Sequence, residues 1–194
     1  MMEYQNKFAE DLINELAWIL QDESGETTVY HPDLFVQAFT DNSYLTIDPT
    51  AKDNHELARL VKDYLSLFTS RFLFNCLTKK DIEMGKCIDK TVYFKYRNRL
   101  LDPKRISAIA RRWHYDLLVR KGESVDLEQE EQALVFVVEA LIGAMVEDDI
   151  QKNVCFMGGE NQIVDLSFDE KKAFDKKIEK LMMIDDFFKE IKLN

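Results

Sequence analysis

The stretch Q-A-L-V-F-V-V-E-A-L-I-G-A-M-V, residues 132 to 146, carries one ionisable side chain, Glu139, inside a run that is otherwise almost entirely apolar. Such a run belongs in the interior, where an ionised carboxylate left unpaired costs several kcal/mol. Glu139 therefore needs a partner or a proton, and the rest of the fold must provide it. Six Gly and three Pro in 194 residues leave few turn punctuators. With little sustained period-two alternation as well, helices are favoured over a sheet, and the expected fold is all-α. The apolar fraction of 46% is ample for one core.

Periodicity places the helices. Phe8, Leu12, Ile13, Leu16 and Leu20 recur at helical spacing over residues 4 to 20, and D-E-S-G-E-T-T then breaks the pattern. A short helix follows His31-Pro32, and a long one is expected over 53 to 75, where Leu57, Leu60, Val61, Tyr64, Leu65, Phe68, Phe72 and Leu73 repeat every three or four positions. Thr78 with Asp81 resembles a cap for a helix reaching about residue 94, Pro103 suits the first turn of another up to Trp113, and 127 to 147 make a third long helix. N-V-C-F-M-G-G-E-N-Q reads as a loop, and Ser167 with Glu170 as a capping box for one terminal helix to about residue 191. The expected organisation is an N-terminal helix and loop (1–28), a central domain (29–150), and a loop with a C-terminal helix packed on it (151–194).

Several function classes lose support. Cys76, Cys87 and Cys155 share no C-x-x-C spacing and do not pair with a histidine cluster, which argues against zinc and against a disulfide framework. The acidic start lacks the apolar segment of a secretory signal, and no window is apolar enough to span a bilayer, so a soluble intracellular protein is expected. His31, His55 and His114 are scattered without a Ser or Cys partner, and Met157-Gly158-Gly159 lacks the following Lys of a phosphate-binding loop. The net charge of −10 opposes indiscriminate nucleic-acid binding, yet residues 86 to 121 hold eleven cationic against three acidic side chains and are +8. Within that segment Lys95, Arg97, Arg99, Lys104, Arg105, Arg111 and Arg112, interleaved with Tyr93, Phe94, Tyr96 and Trp113, are the candidate RNA-binding residues. A solvated basic face whose aromatics belong to the core is the alternative.

Four segments in order resemble the nuclease domain of the ribonuclease III family. H-P-D-L-F-V-Q-A-F-T-D-N-S-Y at 31 to 44 is similar to that family's P-E-L-L-x-Q-A-L and T-H-x-S-Y, with Asp41 in place of the His. K-D-N-H-E-L-A-R-L-V-K-D-Y-L-S-L-F-T-S-R-F-L-F resembles the signature helix that reads N-E-R-L-E-F-L-G-D-A-V-L and its apolar continuation. R-L-L-D-P-K-R-I-S-A-I-A-R-R followed by L-L-V-R-K-G-E is similar to L-V-N-x-x-x-L-A-x-I-A-R and L-x-x-G-K-G-E, and V-V-E-A-L-I-G-A-M-V-E-D-D to D-x-F-E-A-L-I-G-A-x-Y-L-D. No part after residue 150 resembles the double-stranded-RNA-binding domain that often follows.

The resemblance implies a helical domain whose two signature helices bring carboxylates together to hold two Mg²⁺ for cutting double-stranded RNA. The carboxylates sit four apart on the first helix and three apart on the second. Those positions here are Ala58, Lys62, Phe136 and Glu139, so Glu139 alone is retained, and a Lys repels a metal ion. The resemblance therefore implies a pseudoenzyme with no catalytic residue, no metal site and no cofactor. It also places Lys62 across from Glu139 as its ion-pair partner; a Glu139 that simply reaches solvent is the alternative. Family enzymes form homodimers through an aromatic on the signature helix, a position held here by Arg59. A protein partner is expected, as a homodimer or a heterodimer with a ribonuclease III-like subunit, or an exposed Arg59 without one. The expected function is a structural or regulatory subunit of an RNA-processing or ribonucleoprotein complex contacting structured or double-stranded RNA. Two alternatives stand beside it: a divergent Mg²⁺-dependent double-stranded-RNA endonuclease borrowing ligands from a partner, and an acidic interaction module with no RNA role.

Overall fold

A computed structural model describes residues 2–22, 25–83, 89–123, 126–156 and 168–192 of the chain. The apolar run lies in the central helix α7, Leu127–Phe156, which is packed by α2 (Pro32–Ala38), α3 (His55–Glu83), α5 (Pro103–Arg112) and the short α6 (Tyr115–Leu118). From 133 to 145 every residue of α7 is buried except Phe136 and Glu139. A helix covered on nearly all sides shows no amphipathic stripe, and this one needs none. The described residues are helical apart from turns and a single parallel bridge between Thr40 and Arg120, so the fold among them is all-α.

The outer elements close around this axis. Helix α1 (Met2–Leu20) buries Leu12, Leu16, Ile19 and Leu20 and packs on α2 and on α8 (Phe168–Leu181), so the N-terminal helix contributes to the core. Helix α4 (Lys90–Leu100) lies on α3, and α9 (Ile184–Lys192) follows α8. Local chemistry fixes several starts. The Asp89 and Asp102 carboxylates accept from the backbone N–H of Thr91 and Lys104 at 2.8 and 2.9 Å, and Pro103 occupies the first turn of α5 as its spacing predicts. Among the described residues no helix is long and apolar enough to cross a membrane.

Three expectations are corrected. Helix α3 does not end near residue 75: it runs through Thr78 and Asp81 to Glu83, because no Gly or Pro interrupts 55 to 83, and Asp89 caps the next helix instead. Helix α7 continues to Phe156, taking residues 153 to 156 out of the expected loop. The single C-terminal helix is two, broken at Met182-Met183 with Met183 in the left-handed region at φ 50°. Donors from α5 and the residue after it stop α8: Arg105 Nη2 donates to Met182 O at 2.6 Å and Trp113 Nε1 to Leu181 O at 3.3 Å, satisfying carbonyls that a continuing helix would use. Lys86, Cys87, the Met157-Gly158-Gly159 loop and the Ser167 half of the expected capping box lie outside the described residues.

Candidate functional site

The two signature-like helices cross in backbone contact. A Cβ built on Gly143 of α7 would stand 2.5 Å from Leu57 O of α3, so only a glycine admits this approach. Around the crossing lie the four positions singled out from sequence. Ala58 is buried in the α3 face. Phe136 and Glu139, three apart on α7, are the two residues that break its burial. The His55 ring meets Phe136 edge to face at 4.6 Å. Burial holds the Glu139 carboxyl above the usual glutamate range, and the positive charge of Lys62 pulls the other way. The Lys62 charge is the one that acts on Glu139, but the expected ion pair is not formed: among the described residues the two charged groups have no contact within 4.0 Å.

This donor set does not suit a divalent ion. Mg²⁺ requires near-octahedral oxygen ligands, and the crossing offers it one carboxylate beside an ammonium, a phenyl ring and a methyl group. Elsewhere too, among the described residues, no three His, Cys, Asp or Glu side chains are grouped to hold a metal.

The other two segments of the resemblance also meet. Asp41 N–H donates to Arg120 O at 2.9 Å, Arg120 N–H to Phe39 O at 2.8 Å, and Gly122 N–H to Ser43 Oγ at 2.9 Å. A Cβ on Gly122 would fall 2.8 Å from Ser43 O, so this junction needs its glycine as well. Asp41, standing where the family has His, caps the 3₁₀ turn Asn42–Thr46 by accepting from Ser43 N–H at 2.9 Å. Arg120 lies over the rings of Phe8 and Tyr44, at 5.2 and 4.8 Å, and donates to Thr40 Oγ1.

The seven basic candidates differ in their surroundings. Arg97 turns inward to Ser66 Oγ and Ser70 Oγ of α3, at 2.5 and 3.3 Å. Arg99, Arg105 and Arg112 line a pocket of about 320 Å³ with Asp102, Asp186 and Phe187. Lys95, Lys104 and Arg111 are exposed. Of the interleaved aromatics, Tyr93, Tyr96 and Trp113 pack on the core, the last stacked on Trp18 at 4.0 Å, and Phe94 is exposed. Arg59 is exposed on α3, beside a line of exposed apolar side chains at seven-residue spacing, Leu60, Leu67 and Phe74, with 61, 67 and 55% of their surface accessible.

Sequence reasoning passed over Asp148. Its buried carboxylate accepts from the backbone N–H of His31 at 2.7 Å and of Tyr30 at 3.0 Å, pinning the entry to α2 onto α7. The only available signal was an acid closing an apolar helix, and E-D-D offers three candidates. No protein-family model matches the chain, and no curated protein matches it at a significant level.

Proposed function

We propose that this chain is a catalytically degenerate ribonuclease III-like domain, acting as a non-catalytic subunit of an RNA-processing or ribonucleoprotein assembly. One observation carries the proposal. The segments resembling the family's two signature helices cross in backbone contact at Gly143, and the ligand positions around that crossing read Ala58, Lys62, Phe136 and Glu139. The meeting of residues 39–43 with 120–122 supports the same ancestry, since those segments carry the other two matches. A fold that keeps its crossing while losing three of four ligands retains architecture without metal chemistry.

The partner in this reading is a second ribonuclease III-like subunit, docked on the Leu60, Leu67 and Phe74 line of α3 with Arg59 at its edge. An exposed apolar line on a helix whose other face is already buried suits burial against another protein. The test incubates the purified chain with double-stranded RNA and Mg²⁺ and reads cleavage and gel retardation at two salt concentrations. The expected result is no cleavage, with retardation that weakens as salt rises. Cleavage that Glu139→Gln abolishes would establish the enzyme reading instead. Absence of retardation at low salt would leave the acidic interaction module.

A further inference from the structure

From the pocket between the α4–α5 corner and the α8–α9 turn, we infer a binding site for a terminal phosphomonoester, the phosphate at the end of an RNA strand or of a mononucleotide. The pocket holds about 320 Å³ and is lined by Arg99, Arg105 and Arg112 with two carboxylates, Asp102 and Asp186. That volume is at the small end of ligand pockets, roughly 300–1,000 Å³, and suits an end group better than a duplex backbone. The site shares no residue with the α3–α7 crossing and stands whether or not the ribonuclease III-like ancestry holds.

The arrangement is built before any ligand arrives. Arg105 donates to the carbonyls of Leu100, Met182 and Met183, which fixes its guanidinium where α5 meets the α8–α9 turn. Its carbon lies 5.1 Å from the centre of the buried Phe187 ring, and that of Arg99 lies 5.7 Å from the same centre. Two cations are therefore held over one ring, attracted to its face. The third, Arg112, is exposed and meets Asp186 at 3.5 Å, an exposed pair of the weak kind. Asp102 is occupied as the helix cap of α5, accepting from Lys104 N–H at 2.9 Å.

The arginines set the ligand class. Three guanidinium groups line one pocket, Asp186 there is met by Lys189 at 3.3 Å as well as by Arg112, and a phosphomonoester of about −1.5 to −2 is an anion that several guanidinium groups can share. A monoester also presents three terminal oxygens, and the arginine fork is matched to phosphate. A backbone diester has one charge and two free oxygens. Asp186, which also meets Lys189, is the competing anion on Arg112, and phosphate binding displaces it.

The test measures, at fixed ionic strength, the affinity of the full chain for a short single-stranded oligoribonucleotide bearing a 5′-phosphate and for the same strand ending in 5′-hydroxyl. The phosphorylated strand is expected to bind about tenfold tighter or more, the worth of one charge-assisted contact. Arg112→Gln should erase that difference, and Asp186→Asn should enlarge it by removing the competing carboxylate. A merely structural Arg112–Asp186 pair predicts instead that both variants weaken binding or leave it unchanged. Adenosine monophosphate serves as a separate arm. Competition equal to that of the phosphorylated strand assigns the pocket to free nucleotides, and weaker competition assigns it to RNA ends. Equal affinity for the two strands in the wild type overturns the proposal, as does an Asp186→Asn variant, folded by circular dichroism, that binds the phosphorylated strand no tighter.

Discussion

Replacing Gly143 by Ala sets two effects of known size against each other. Helix propensity alone favours the alanine by about 1 kcal/mol. Packing opposes it: the new Cβ would lie 2.5 Å from Leu57 O, about 0.9 Å inside the 3.4 Å at which ordinary contact begins. The obstructing atom is a carbonyl in the first turns of the 29-residue α3, and it cannot swing away as the end of a side chain would. Relief requires the two helices to part, and the buried faces of Leu57, Ala58 and Val61 part with them. Overpacking of this kind costs roughly 1–3 kcal/mol, and a rigid obstacle belongs at the upper end. The expected net loss is on the order of 1–2 kcal/mol, a fall in Tm of about 2–8 °C for a domain of this length. Thermal and urea unfolding followed by circular dichroism read it directly. A Gly143→Ala protein with an unchanged or higher Tm would mean that α3 and α7 do not touch at the backbone, and the candidate site would lose its geometry.

Asp148→Ala removes the acceptor for Tyr30 and His31 N–H and strands those donors; a loss of about 2–3 kcal/mol in urea unfolding is expected, with faster proteolysis before α2. A loss under 1 kcal/mol would show the anchor to be dispensable. Glu139→Gln should stabilise the protein near neutral pH. Because burial raises the folded-state value of Glu139, the protonated form favours folding; that contribution is full below the unfolded glutamate value and is lost as pH rises through the folded one. Gln keeps the neutral form at every pH, so its advantage should vanish in acid, and a variant less stable than wild type at pH 7 would show the Lys62 attraction outweighing burial. Millimolar Mg²⁺ or its removal by EDTA should leave the unfolding midpoint unchanged, whereas a saturating resident ion would raise stability by about 2–3 kcal/mol.

Local signals were enough to find most helices and not enough to end them. Leu12, Leu16 and Leu20 mark α1, and Pro103 behind Asp102 marks the first turn of α5, because each signal lies within a few residues of what it controls. The break between α8 and α9 has no such signal. Its cause is Arg105, 77 residues from Met182 in the chain, and Trp113, 68 residues from Leu181. Asp148 is likewise tied to His31 across 117 residues. The positions of the candidate site came from ordered resemblance, which carries alignment but no exposure. That Phe136 and Glu139 are the two openings in α7 was invisible, since a run apolar on every face gives periodicity nothing to sort. The basic segment fared similarly. Eleven cations within 36 residues describe a composition, and only the fold reveals that Arg97 faces α3 while Arg99, Arg105 and Arg112 surround one pocket.

The crossing also explains how a single carboxylate is tolerated in so apolar a helix. Four clustered carboxylates repel one another and need a cation to stay ionised together. With Ala58, Lys62 and Phe136 around the crossing, Glu139 meets no acidic neighbour among them and one positive charge. The remaining cost is burial alone, which a proton relieves. Lys62 therefore need not touch Glu139 to make the arrangement tolerable; its field offsets part of the desolvation from beyond contact distance. What holds α3 to α7 is the close approach at Gly143 and the buried faces on either side of it, and the ion pair expected from the sequence is not required for it.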